Sequence, residues 1–242
     1  MLEDTLGLNI HGLKTIGAVF WNPKRVFAAA RSKTWANGTY RPSIRLFVSL
    51  AMLVLVLQAF WAGPDSHLAQ ISSENIQTIL TAQLPPELIP YISGRDIWQT
   101  SIVALPIATV ATMLIAAFLL RIWGKGTRGV TRIRYYFLAA IPGWICSFGL
   151  SMTAEAFSFA TAVILLVAAQ PVAILLDSLT AWRGNPGEYK KFARIWRAGL
   201  FGVVNFVVYN IAAFIMLTYA SHAVTQNVIA AAKAAGVVLA PS

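Results

Sequence analysis

The sequence predicts an all-α, multi-pass membrane protein, because apolar residues dominate it, apolar runs reach about 20 residues, and basic residues lie between those runs. Of the 242 residues, 57% are apolar and only 12% are charged, and the mean hydropathy is +0.66. A typical soluble domain has about a quarter of its residues charged. The spans must be helices, since lipid satisfies no backbone polar groups and the alternating pattern of a membrane barrel is absent.

Five apolar runs are long enough to cross about 30 Å of hydrocarbon. These predicted spans cover residues 44–62, 100–123, 135–152, 157–179 and 198–220. The first run begins too late in the chain for a secretory signal peptide, so we expect it to be retained as a span. The predicted membrane domain is therefore residues 44–220, and residues 63–99 form its one long external loop.

The lysines and arginines are distributed asymmetrically along the chain. Only Arg95 and Lys233 lie outside three regions, which are the chain up to Arg45, residues 121–134 and residues 183–197. Five spans place these regions on one side, so the positive-inside rule predicts a cytoplasmic N-terminus and an external C-terminus. This topology accounts for the net charge of +10 without a nucleic-acid partner. Trp123, Tyr135 and Tyr136 are expected in the aromatic belt at the cytoplasmic interface.

The two ends of the chain are expected to form short helices outside the spans. Residues 1–43 carry apolar side chains at helical spacing, which predicts an amphipathic cytoplasmic segment lying in the interface. Asn22 and Pro23 mark the start of a second helix there, with the asparagine as cap, and residues 37–38 (NG) predict a turn. Residues 221–242 are too polar and alanine-rich for a sixth span, so we expect an external tail that forms an interfacial helix.

The external loop is predicted to contain a helix of its own. Ser72 and Ser73 can cap its start, and Pro85 and Pro86 then end it. We expect this helix to cover the outer ends of the spans, and a functional loop is the alternative. Glu155, in the short turn between spans three and four, is expected to be solvated.

The sequence contains no recognisable catalytic or metal-binding motif. His11, His67 and His222 lie far apart, and neither an HExxH pair, a glycine-rich phosphate loop nor a GxSxG elbow occurs. The single cysteine, Cys146, lies in an apolar run and can form neither an internal disulfide nor a cysteine zinc site. We therefore expect no enzyme activity, no metal and no cofactor.

Polar residues inside the predicted spans are the main functional signal. Gln170 and Asn205 lie about 10–14 Å deep, and Pro171 frees a carbonyl that Asn205 or Tyr209 can satisfy. We expect Gln170 to face Asn205 across spans four and five, through a packing bond of about 0.6 kcal/mol. A substrate-binding role for these groups is the alternative.

Asp177 is the one carboxylate within a predicted span. It lies about two residues from the predicted cytoplasmic end, where it can reach water, Arg183 or Arg197. We expect a satisfied interfacial carboxylate there, and a functional intramembrane carboxylate is the alternative.

Residues 21–27 (WNPKRVF) and residues 40–43 (YRPS) lead into the first span. This region resembles the corresponding segment of Yip-type membrane proteins and of their uncharacterised bacterial relatives. The resemblance implies five spans, a cytoplasmic N-terminus and a non-enzymatic role through contacts in the membrane or with cytoplasmic partners. The short N-terminal segment favours a bacterial protein, located in the inner membrane.

Two functional hypotheses follow from the sequence. The first is an integral membrane scaffold or accessory protein that packs against membrane-protein partners or further copies of itself. Its basic cytoplasmic rim would contact those partners or anionic membrane lipids. The alternative is a small-solute or ion transporter component that uses the polar groups of spans four and five. The candidate rim consists of Arg128, Arg132, Arg134, Lys190 and Lys191.

Overall fold

The computed structural model describes residues 10–32, 40, 43–61, 63, 66–124, 126–185 and 189–235. Regular structure within these ranges is helical, and they contain no strand. The α-helices are α1 (Ile10–Trp21), α2 (Pro23–Ala30), α3 (Ser43–Trp61), α4 (His67–Gln83), α5 (Gly94–Leu119), α6 (Gly129–Ala154), α7 (Phe159–Gly184) and α8 (Lys191–Ala234). A short 3₁₀ helix, Pro86–Tyr91, links α4 to α5. The predicted turn at residues 37–38 lies outside the described residues.

Four of the helices, α5 to α8, are long and apolar enough to cross a membrane. Helix α3 adds a shorter apolar stretch, Ser43–Gln58. Large apolar side chains such as Ile107, Ile164, Val167 and Phe214 project outward from the bundle and are exposed. A surface of this kind is stable against lipid rather than water. The architecture is that of a helical membrane protein.

Helices α1 and α2 pack against α6 and α7 at one end of the bundle, here called the α1–α2 end. The predicted start of α2 is confirmed: Asn22 is its cap, and its side chain accepts a hydrogen bond from the Arg25 N–H at 3.4 Å. Pro23 occupies the first helical position, where the missing N–H costs nothing. Helix α4 lies at the opposite end, here called the α4 end.

Helix α4 begins earlier than the sequence predicts. Its cap is Ser66, which accepts a hydrogen bond from the Ala69 N–H at 3.1 Å. Glu155 completes this start, because its carboxylate accepts the backbone N–H groups of His67 at 2.9 Å and Leu68 at 3.0 Å. A carboxylate is stabilised there by the unpaired N–H groups and the helix dipole. The expectation that Glu155 is solvated is therefore wrong: it clamps α4 to the α6–α7 turn.

Helix α8 runs unbroken through the predicted boundary at residue 220. Its 44 residues correspond to about 66 Å at 1.5 Å per residue, roughly twice the hydrocarbon thickness. Its final turns bury Val224 and Val228 against Ile76 and Leu80 of α4 and Ile97 of α5. The part of the predicted tail that the structure describes is thus a packed continuation of α8, not a separate interfacial helix.

The core of the α1–α2 end is aromatic. Phe27 stacks on Tyr135 with ring centroids 5.2 Å apart, and Trp123 lies edge-on to Tyr135 at 5.5 Å and to Phe201 at 5.6 Å. Trp123, Tyr135 and Tyr136 are buried. The interpretation of these three residues as an aromatic belt is wrong. Phe27 of α2 covers Trp123 and Tyr135, and Tyr136 packs against Phe201 of α8.

A glycine allows α2 to approach the end of α7. A Cβ at Gly184 would lie 2.8 Å from two carbons of the Phe27 ring, and that ring is fully buried. We predict that Gly184→Ala lowers stability by about 1–3 kcal/mol, the usual cost of overpacking. Gly199→Ala is the matched control, since nothing lies within 4 Å of a Cβ there. Thermal unfolding in one detergent measures both, and equal midpoints would contradict the predicted packing.

Candidate functional site

Asp177 lies at the centre of the contact between α6, α7 and α8 and is fully buried. Its Oδ1 accepts the backbone N–H of Gly143 at 2.8 Å, and its Oδ2 accepts the side-chain amide of Asn205 at 2.7 Å. The Asn205 carbonyl oxygen in turn accepts the Tyr136 hydroxyl at 2.5 Å. These four residues, here called the polar cluster, connect three helices by hydrogen bonds within the bundle.

The residue pair Pro142-Gly143 makes the contact to Asp177 possible. A proline inside a helix disrupts the local hydrogen-bond ladder, and the N–H that follows it points at the carboxylate of the neighbouring helix. A Cβ at Gly143 would overlap both the Asp177 carboxylate and the Ala173 carbonyl. The position therefore requires glycine, and α6 and α7 approach closely because of it.

The structure corrects two expectations about these residues. Helix α7 continues to Gly184, so Asp177 lies within the helix and not at an interface with water. Asn205 binds Asp177 and Tyr136, whereas Gln170 lies two helical turns from Asp177 along α7. The predicted pairing of Gln170 with Asn205 is therefore wrong, although their two helices do pack together.

A cavity of about 350 Å³ lies beside the polar cluster, on the side that faces the α4 end. Its walls come from six helices, α3 to α8, and it contains both apolar and uncharged polar side chains. Gln170 lines this cavity, as do Trp98, Trp144 and Asn210. No lysine, arginine, aspartate or glutamate occurs among the described residues that line it. The hydroxyl and amide side chains in the lining are Gln58, Ser101, Thr109, Ser147, Ser151, Gln170, Tyr209 and Asn210.

Tyr209 connects the cavity to the polar cluster. Its ring lines the cavity, and its hydroxyl lies within electrostatic range of the Asp177 carboxylate and of Tyr136. That hydroxyl is buried and has no hydrogen-bond partner among the described residues. A buried hydroxyl without a partner costs free energy. The hydroxyl is closed off from the cavity, so a solute gains this hydrogen bond when the Tyr209 side chain turns toward it.

The arginines of the α1–α2 end have an internal role that the sequence analysis missed. Arg132 and Arg134 each donate to carbonyl groups at or beyond the C-terminal end of a neighbouring helix, where unpaired carbonyls and the helix dipole favour a cation. Arg134 binds the carbonyls of Ala30 at 3.0 Å and Ser32 at 3.2 Å, after α2. Arg132 binds the Phe118 carbonyl of α5 at 3.4 Å. Both residues therefore hold helices together, which reduces their availability as a docking rim.

The other three residues of the candidate rim have a different environment. Arg128, Lys190 and Lys191 are exposed at the starts of α6 and α8. Because these side chains are accessible, they are the part of the rim that an external partner could contact.

Within the described ranges there is no group of three or more histidine, cysteine, aspartate or glutamate side chains that could hold a metal ion. Cys146 is a free cysteine. Comparisons with protein-family models, with curated protein sequences and with solved structures gave no significant match. The assignment of function therefore depends on the polar cluster and the cavity.

Asn205 is predicted to be essential to the stability of the bundle. Asn205→Leu removes the amide that binds the Asp177 carboxylate and the oxygen that accepts from Tyr136. Because it leaves a buried carboxylate short of a partner, we expect a loss of about 3 kcal/mol or more, well above an ordinary packing bond. Thermal unfolding of purified protein measures the loss.

Asn210→Leu is the matched control, five residues further along α8. The Asn210 side chain is exposed, and its amide binds only the Phe206 carbonyl of its own helix. We expect a change within about 0.5 kcal/mol there. If the two variants unfold at the same temperature, the polar cluster does not stabilise the helix contact.

Proposed function

We propose that this protein binds a small, neutral solute inside its membrane bundle, as a transporter or transporter component does. The observation that carries the proposal is the cavity of about 350 Å³ next to the polar cluster. Its volume lies at the lower end of the roughly 300–1,000 Å³ typical of ligand sites. A mostly apolar wall with a few hydroxyl and amide groups is also the usual composition of such sites.

The lining defines the chemical class of the proposed solute. Without charged side chains in the described lining, an ionic solute would lose its hydration without compensation. The indole rings of Trp98 and Trp144 offer apolar surface, while Gln170 and Tyr209 offer hydrogen bonds. The proposed solute is therefore compact and uncharged, with an apolar body and at least one hydrogen-bonding group.

The proline kinks favour a bundle that rearranges around a solute. Pro106 lies within α5 and lines the cavity, and Pro171 lies within α7 next to Gln170. Prolines break the helical hydrogen-bond ladder, and interrupted helices near a central site recur in transporters. The proposed role is not enzymatic.

The proposed topology has five spans, with α3 as the first and the α1–α2 end in the cytoplasm. The apolar stretch of α3 and the concentration of basic residues at the α1–α2 end support it. A bacterial inner membrane is the proposed location. Membership of the Yip-type family is likewise proposed on the segment resemblance and on this topology.

A scaffold or accessory role is the second candidate function. It is favoured by the exposed cations Arg128, Lys190 and Lys191, which could contact a partner or anionic lipid. Exposed apolar faces along the spans could contact another membrane protein or a second copy of the chain. Solute binding and scaffolding can be tested separately, because the residues that support one role are not those that support the other.

Tyr209→Phe tests the solute-binding proposal with the neutral fluorescent probe aminoanthracene. We expect the wild-type protein in detergent to give a saturable rise in probe fluorescence. Removing the hydroxyl should weaken binding by roughly three- to tenfold, since one hydrogen bond is lost. Stability should stay equal or rise, because the hydroxyl has no partner in the described part of the chain.

Tyr219→Phe is the control for that experiment. Tyr219 is exposed on the outer face of α8 and does not line the cavity. Tyr219→Phe should therefore leave probe binding unchanged. The proposal fails if the wild type shows no saturable binding, or if both tyrosine variants bind the probe equally well.

Cysteine labelling tests the proposed topology in a Cys146→Ser background. Exposed positions are needed, and Ser221 is unsuitable because it is buried in α8. A membrane-impermeant thiol reagent added to intact cells should label Gln77→Cys and Gln226→Cys, which are exposed at the α4 end. It should not label Ser32→Cys at the α1–α2 end until the cells are permeabilised. Labelling of Ser32→Cys in intact cells would reverse the orientation.

A further inference from the structure

A second cavity, of about 380 Å³, lies at the α1–α2 end, where α1 meets the end of α7 and the start of α8. We propose that it binds the phosphate group of an anionic membrane phospholipid. The proposed site is separate from the bundle cavity and does not depend on solute binding. Its lining is Trp21, Asn22, Pro23, Lys24, Trp182, Arg183 and Arg194.

Three cationic side chains line this cavity without an acidic residue among the described lining. Arg183 donates to the carbonyls of Phe20 at 3.2 Å and Trp21 at 2.9 Å, which holds the end of α1 against α7. These carbonyls orient the guanidinium but do not neutralise it. The positive charges of Lys24, Arg183 and Arg194 therefore converge on one concave site.

Arg194 is held in place at the wall of this cavity. Its Nη2 donates to the Trp182 carbonyl at 2.8 Å, which fixes the side chain against the end of α7. Arg194 is also partly exposed where it lines the cavity. Guanidinium groups bind phosphate through charge-assisted hydrogen bonds, so this side chain suits a phosphate ligand.

The surroundings of the cavity indicate that the phosphate belongs to a lipid. Helix α1 buries Thr15 and Val19, while Ile10, Leu13 and Trp21 on its other face are exposed. An amphipathic helix of this kind lies at the boundary of headgroups and acyl chains. Trp21 is 84% exposed beside the cavity, and tryptophan favours the headgroup level. Soluble phosphate would gain nothing from this apolar face.

Native mass spectrometry of the full chain in mild detergent tests the proposal. The probes are phosphatidylglycerol and phosphatidylcholine with identical acyl chains. We expect the first phosphatidylglycerol to bind about tenfold more tightly than phosphatidylcholine, whose choline group offsets the phosphate charge. Lys24→Gln and Arg194→Gln should each remove most of this preference, because each deletes one of the converging charges.

Arg121→Gln is the control, because Arg121 is exposed at the same end but does not line the cavity. It should retain the preference for phosphatidylglycerol. Lys24 is exposed, so its variant keeps the test valid if Arg194→Gln fails to fold. Equal loss in Arg121→Gln would overturn the site in favour of general charge attraction. Equal binding of both lipids, or displacement of phosphatidylglycerol by millimolar inorganic phosphate, would overturn the lipid assignment.

Discussion

The contact of α6, α7 and α8 depends on one requirement, which is that a carboxylate buried in a membrane bundle must have hydrogen-bond donors. Asp177 obtains them from a backbone N–H on α6 and an amide on α8. Lipid offers no replacement donors, so separating either helix from α7 would expose an unpaired polar group. The relative rotation and the register of the three helices are therefore fixed together. Tyr209 and the floor of the cavity are held in place by the same contact.

The basic residues of the α1–α2 end illustrate how one residue type serves two requirements. Their distribution along the chain predicts the orientation of the spans. In the fold, Arg132, Arg134, Arg183 and Arg194 also satisfy carbonyl groups at helix C-terminal ends. Arginine suits this position because its planar group can reach two carbonyls at once and stays charged. An excess of arginine at helix junctions is thus a structural signal as well as a topological one.

Hydropathy and capping rules predict which segments are helical, but they do not predict which side chains contact one another. The helical class and the Asn22 cap follow from local sequence, because length, apolar composition and backbone donors determine them. The sequence analysis places Asp177 near water because its apolar run ends at residue 179, whereas the helix continues to Gly184. The hydrogen-bond partners of a buried side chain depend on how the helices are rotated about their axes. An apolar run in the sequence does not indicate that rotation. The Pro142-Gly143 pair was the available signal, since a proline disturbs the helix there and the glycine leaves room for a neighbouring helix.

The Glu155 clamp has a consequence for the order of assembly during synthesis. The N–H groups that it accepts belong to His67 and Leu68, which leave the ribosome almost 90 residues earlier. Until the α6–α7 turn is translated, the start of α4 has Ser66 as its local cap and lacks its carboxylate partner. Helix α4 therefore gains this contact only after two later helices, α5 and α6, have emerged. Helix α4 is thus an early segment of the chain that packs late. Its apolar face is fully covered only when the end of α8 is in place.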